Sequence, residues 1–277
     1  HVPLFVITPK DNSQPRPTIY ILNGADGGEG KANWVMQTDI VDFYMDKNVN
    51  VVIPMSGQYS YYTDWVSENA NLGGKQTWEP FLTKELPGPL EKTLKASNQR
   101  AIAGMSMTAT TSLLYAEHHP GFYDAVGSFS GCAQTSEGPA LEYVRTVLNR
   151  GKATPEEMWG PVGTETWAYN DALINAEKLR GTPMYVSNGS GVAGQSDMVS
   201  SPHMQGDLGF AAGTVIIGGA IEGATNLCTH DLKARLDAAG IGADWNFHPT
   251  GTHSWGYWQD DLRGSWPTFA RAFGMQP

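Results

Sequence analysis

Short apolar runs rich in β-branched residues recur at positions 4–8, 18–22, 49–55, 100–103, 124–129, 183–187 and 243–247, and amphipathic stretches lie between many of them. Such alternation predicts the α/β class, with a mostly parallel central sheet covered by helices. Trp78, Phe81, Leu82, Leu86, Leu90 and Leu94 repeat at helical spacing, with Thr77 placed to cap and Pro80 suited to the first turn. Pro87 and Pro89 predict a kink in that helix. A later helix is expected over 230–239, ended by Gly240, and a last one over 255–273, disturbed by Pro267.

Two segments break the alternation. Residues 132–180, punctuated by Pro155, Gly160 and Pro161, read as short helices and turns forming an irregular insertion over the sheet. Residues 190–213 are rich in Gly and Ser and show no hydrophobic period, so a mobile or ligand-binding loop is expected there. No internal repeat is present, and 277 residues suit one continuous core, read here as a single catalytic domain over 1–277.

Charge narrows the function. With 28 acidic against 18 basic residues and a net charge of −10, the surface is unsuited to phosphate backbones, which argues against a nucleic-acid partner. Hydrophobic residues at 40% and charged ones at 17% describe a folded globular chain. No apolar run reaches the roughly 18–20 residues of a membrane span, so no transmembrane segment is expected. The chain begins at His1, which reads as a processed product or a trimmed chain, with any targeting signal already removed. Cys132 and Cys228 are the only cysteines, and spacing leaves open whether they bond.

The chemistry centres on Gly104-Met-Ser106-Met107, where a β-type run meets a helix of small residues. A strand turning sharply into a helix is the nucleophile elbow, which holds a serine in strained geometry above the sheet. Thr108 stands where that motif usually has glycine, so the match is partial, and a plain turn with an N-capping serine is the blander alternative. A serine nucleophile needs a late histidine base held by an acid. His253, just beyond the run at 243–247, fits that place, whereas His118, His119, His203, His230 and His248 have structural or surface readings. Asp197, Asp207, Glu222 and Asp231 lie between serine and histidine; the residues alone favour Asp197 and Glu222 and do not choose between them. Backbone N–H groups of Met107 and Ala25 can form an oxyanion hole. No zinc-type ligand motif is present, so a metal mechanism lacks ligands, and the Gly-rich stretch after Leu22 is a poor phosphate loop.

Several segments are specific. Leu22-Asn-Gly-Ala25, Ser56-Gly-Gln-Tyr-Ser-Tyr-Tyr-Thr-Asp-Trp65, Trp78-Glu-Pro-Phe-Leu-Thr-Lys-Glu-Leu-Pro87, Gly104-Met-Ser-Met107, Met158-Trp-Gly-Pro161, Ile221-Glu-Gly223 and Gly251-Thr-His-Ser-Trp-Gly-Tyr-Trp258 span most of the chain. With them the sequence resembles the secreted mycolyltransferases of mycobacteria and corynebacteria, the antigen 85 family, which have the α/β-hydrolase fold. The resemblance implies Ser106 as nucleophile, Glu222 as acid, His253 as base, and the Ala25 and Met107 amides as oxyanion hole. It implies acyl transfer from trehalose monomycolate through an acyl-serine to a glycan, glycolipid or protein hydroxyl, without a cofactor. It also implies a secreted protein at the cell envelope, associated with its surface.

One departure concerns the acceptor. Where the family motif reads Asp-Gly-Leu-Arg, this chain has Asn23-Gly-Ala-Asp26, an acid in place of a planar cation. Asp26, Gln58, Trp65 and Trp255 are the candidate sugar contacts, and Phe210, Met198 and Met204 candidate lining of an acyl groove. Competing readings are a carboxylesterase of the same fold and a non-catalytic carbohydrate-binding or adhesin protein.

Overall fold

Each apolar run becomes a strand in the computed structural model, which describes residues 1–277. The strands are β1 (Leu4–Ile7), β2 (Arg16–Ile21), β3 (Asn50–Pro54), β4 (Ala96–Met105), β5 (Ala125–Phe129), β6 (Met184–Asn188) and β7 (Asp244–Phe247). They form one sheet in the order β1-β3-β2-β4-β5-β6-β7. Only β1 runs antiparallel, at the edge against β3; every other pairing is parallel.

Parallel strands are covered on both faces, which is why they read as unbroken apolar runs. Tyr20, Val52, Ile102, Val126 and Val186 enter one core with Leu113, Leu114, Trp159 and Trp167. Their chain neighbours Ile19, Ile21, Val51, Ile53, Ala101 and Ala103 enter the other, against Trp34, Tyr44, Trp258, Leu262, Trp266 and Phe269. The α/β-hydrolase architecture expected from the sequence is thus the observed one.

The helices correct several details. Thr77 makes no side-chain cap; Asp64 Oδ1 accepts from Glu79 N–H instead, at 3.2 Å. The helix over Trp78–Pro80 widens to π geometry at Phe81–Glu85 and resumes at Pro87–Leu94, so the prolines fall at a new first turn. Pro267 does not interrupt the C-terminal helix Trp255–Ala272, because the buried face of Trp258, Leu262, Trp266 and Phe269 outweighs one lost backbone bond. Residues 132–180 carry the short helices Gly138–Arg150, Pro155–Trp159 and Glu165–Tyr169, as expected.

The expected loop at 190–213 is largely ordered otherwise. After turns at Gln195–Asp197 and Pro202–Met204, Asp207 caps a helix at Leu208–Gly213 by accepting from Phe210 N–H at 2.9 Å. That helix continues through a π segment, Thr214–Gly218, into Gly219–Ala238. Its glycines, poor helix formers, hid it from the sequence. One stripe, including Ala211, Gly218, Glu222, Thr225, Thr229, Leu232 and Leu236, is buried, while Leu208, Phe210, Ile216, Ile217 and Leu227 face outward. By length and composition the run Leu208–Ala238 could cross a membrane, yet its buried stripe is part of this fold.

Candidate active site

The polypeptide reverses sharply at the end of β4. Ser106 has φ 57° and ψ −121°, a strained conformation for a residue with a side chain. The turn is so tight that a Cβ on Gly104 would lie 2.1 Å from the Thr108 carbonyl oxygen. The second close approach comes from another strand: a Cβ on Gly131, beyond β5, would meet Ala109 Cβ at 2.4 Å. Position 108 is therefore free to be threonine. Its buried hydroxyl accepts from Met105 N–H at 3.1 Å and donates to the Asn23 carbonyl at 2.9 Å.

Ser106 heads the helix Met107–His118, and its Oγ lies 2.7 Å from His253 Nε2. His253 Nδ1 lies 2.8 Å from Glu222 Oε2. The other carboxylate oxygen, Oε1, accepts from Ser130 Oγ at 2.7 Å, Gly189 N–H at 2.7 Å and Asn188 Nδ2 at 3.1 Å. Only donors surround this buried carboxylate, so Nδ1 carries the imidazole proton and Nε2 is left to accept from Ser106. The arrangement can take a proton from the serine hydroxyl and return it to a leaving group.

Glu222 is held from two sides. Its helix is joined by a Cys132–Cys228 disulfide to the segment carrying Ser130 and Gly131, closing the question that cysteine spacing left open. Asp197 is buried elsewhere: it accepts from Thr252 Oγ1 at 2.6 Å, Tyr257 OH at 2.6 Å and Gly194 N–H at 2.8 Å. It anchors the residue before His253 and does not touch the imidazole.

Ala25 and Met107 are brought together at the elbow. A Cβ on Gly24 would sit 2.6 Å from Met105 Sδ, so the β2 exit loop packs directly on the turn. Met107 opens its helix, where N–H groups lack intrahelical acceptors, and Ala25 N–H makes no internal hydrogen bond. Both amides are free to meet an oxyanion.

The expected sugar contacts separate. Trp65 is buried in the core, with Nε1 donating to the Ser60 carbonyl, because its ring packs inward from a loop whose apolar direction the sequence does not encode. Trp255 packs edge-on against Trp34 and Trp258, and it is Trp258 whose ring meets His253, at 4.9 Å between centroids. Gln58 lines a polar cleft of about 290 Å³ with Glu29, Ser56, Asn71, Gln76 and Trp78. Asp26 Oδ2 accepts from Gly30 N–H at 2.9 Å, closing the turn after Ala25. Of the groove candidates, Met198 and Phe210 are exposed but Met204 is buried. One neighbour of the serine was missed altogether: Tyr143 OH, from the insertion helix, lies 3.0 Å from Ser106 Oγ. The expectation of short helices and turns over 132–180 does not give this helix's reach to Ser106.

The sheet, the elbow and the hydrogen-bonded Ser106–His253–Glu222 chain define an α/β-hydrolase-fold protein of the esterase class, and the esterase family model matches residues 2–269. The diacylglycerol acyltransferase/mycolyltransferase Ag85A of Mycobacterium tuberculosis is 32% identical over 273 residues, covering 94% of this chain and 75% of that protein. Ag85B of Mycobacterium leprae is 30% identical, covering 91% and 74%. The chain belongs to the antigen 85 mycolyltransferase family. Among solved structures, Mycobacterium tuberculosis MPT51 (FbpC1) superposes with a TM-score of 0.78 at 20% identity over 98% of this chain and 93% of that one. An S-formylglutathione hydrolase from Agrobacterium tumefaciens gives 0.68 at 15%, over 96% and 89%. Both show the fold.

Proposed function

We propose that this protein is a mycolyltransferase that moves the acyl group of trehalose monomycolate through an acyl-Ser106 intermediate to a hydroxyl acceptor. The observation that carries this reading is the unbroken chain from Ser106 Oγ through His253 to Glu222 on a strained elbow, in a chain of this family.

In the first half-reaction Ser106 Oγ bonds to the ester carbon while its proton passes to His253 Nε2. The Ala25 and Met107 amides hold the oxyanion, and the departing sugar oxygen takes the proton from Nε2. Glu222 fixes the imidazole tautomer and balances the imidazolium. The second half-reaction runs the same steps in reverse with an acceptor hydroxyl from trehalose monomycolate, arabinogalactan or protein. A disulfide and the family's acyltransferase relatives support a secreted protein at the cell envelope. Asp26, in place of the family's arginine, supports weaker use of free trehalose as acceptor.

Mass spectrometry of the purified protein after exposure to less than one equivalent of trehalose monomycolate, which leaves little free to act as acceptor, tests this. A mycolyl adduct on Ser106 that disappears when acceptor is added is the expected result, with no adduct on Ser106→Ala. An adduct discharged to free mycolic acid at the same rate with or without acceptor would make the protein an esterase. Full turnover by Ser106→Ala would overturn the mechanism.

A further inference from the structure

The hydrogen-bond balance around Ser106 Oγ assigns a direction to its contact with Tyr143. Glu222 is surrounded by donors, so His253 donates from Nδ1 and must accept at Nε2. The single serine proton is therefore directed at Nε2, 2.7 Å away. Tyr143 OH, 3.0 Å from the same oxygen, can then only be the donor. Two hydrogen bonds of opposite sense meet at the nucleophilic atom.

We propose that Tyr143 is a catalytic residue that donates a hydrogen bond to Ser106 Oγ and stabilises the negative charge this atom acquires in both half-reactions. This rests on the reading of Ser106 as nucleophile. As the proton leaves for His253, Oγ becomes alkoxide-like before its bond to the acyl carbon is complete. In the second half-reaction the C–Oγ bond breaks and the same charge returns until His253 reprotonates the oxygen. Resting serine and the acyl ester both carry less charge there, so a fixed donor is worth more at the two barriers than between them. Tyr143 keeps its proton throughout: desolvation pushes its phenol up to about 12. Position comes from the insertion, since Ala140, Val144, Val147 and Leu148 bury the helix Gly138–Arg150 that bears it. The insertion thereby contributes a group to the reacting centre as well as a roof.

The test is stopped-flow hydrolysis of p-nitrophenyl butyrate, with the burst reporting acylation and the steady phase deacylation. Tyr143→Phe is expected to slow both phases about ten- to a hundredfold, with KM changed less than about twofold and thermal unfolding unchanged. Incorporating 3,5-difluorotyrosine at 143 keeps the shape and makes the phenol more acidic. That protein is expected to work at neutral pH and to lose activity on raising the pH through its lowered phenol pKa, a limb absent from the parent profile. A merely structural ring would produce no such limb. Parent-like burst and steady rates in Tyr143→Phe, or a difluorotyrosine profile superimposable on the parent's, would overturn the role of Tyr143. With Ser106→Ala inactive, those results would leave the nucleophile reading standing; an active Ser106→Ala would remove that reading itself.

Discussion

Thr108 Oγ1 donates to the Asn23 carbonyl oxygen at 2.9 Å, tying the turn that carries Ser106 to the strand exit that carries Ala25. Ser106 and Ala25 are thus tied through a single buried hydroxyl, which also satisfies Met105 N–H. Where the elbow motif ordinarily needs glycine, this chain spends a hydrogen-bonding side chain.

Replacing Thr108 by valine keeps the volume and removes both bonds, leaving a buried N–H and a buried carbonyl unmatched. The expected cost is about 1–3 kcal/mol of stability by denaturant titration. Ester turnover should fall more than the folded fraction does, because the Ala25 amide loses its tether. A variant with parent stability would show that Thr108 is only a spacer.

Glu222→Gln should lower kcat by about a thousandfold or more with little change in KM, since the amide cannot enforce the imidazole tautomer or balance its charge. Asp197→Asn acts differently. It weakens the anchor of Thr252 and Tyr257, so we expect about 1–3 kcal/mol of lost stability and at most roughly a tenfold loss of rate. Parallel melting and kinetic measurements separate the two, and the opposite ranking would make Asp197 the functional acid.

What was legible in the sequence follows from how these contacts are encoded. Strands buried on both faces appear as continuous apolar runs, and Gly104 and His253 sit in motifs whose chemistry is local. The choice between Asp197 and Glu222 was settled by resemblance, not by the residues, because each is buried with a hydrogen-bonded network of its own. Trp255 and Trp258 are three apart on one helix, and only the phase of that helix, fixed by Trp34, decides which ring meets His253. The helix at Leu208–Gly213 is not legible in the sequence because its glycines oppose helix propensity and its capping Asp207 is followed by no periodic pattern.

The Cys132–Cys228 bond closes a sequence separation of 96 residues, for which chain entropy alone gives about 4–5 kcal/mol of stabilisation. Cys228→Ser is expected to lose roughly 2–4 kcal/mol, read from guanidinium unfolding of the oxidised parent against the variant. Since the bond restrains the Glu222 helix against Ser130, activity of Cys228→Ser near its melting transition should fall ahead of bulk secondary structure. Coincident loss of both signals would confine the bond's effect to global stability.

His248 Nε2 lies 2.7 Å from the buried Asp261 Oδ1, and this hydrogen bond raises the histidine pKa above 6.5. Burial likewise raises that of Asp261. A group that binds its proton more tightly when folded adds stability that is full below its unfolded pKa and is lost as the pH rises through the folded one. The melting temperature should therefore decline as the pH is raised from about 6 through the neutral range. His248→Gln should flatten that decline; an unchanged slope would place its origin elsewhere.

The hydrogen bond from Ser106 to His253 joins residues 147 positions apart. Ser106 lies before the midpoint of the 277-residue chain and His253 near its end, and the Ala25 loop comes from near the start. These groups follow β2, β4 and β7, so they meet only once β2-β4-β5-β6-β7 have paired, and the large loop-closure cost of contacts so far apart in sequence delays them in folding. Reactivity of Ser106 toward a serine-directed phosphonate during refolding is therefore a clock for the last step of chain assembly, readable in a mixture where helix content has already recovered.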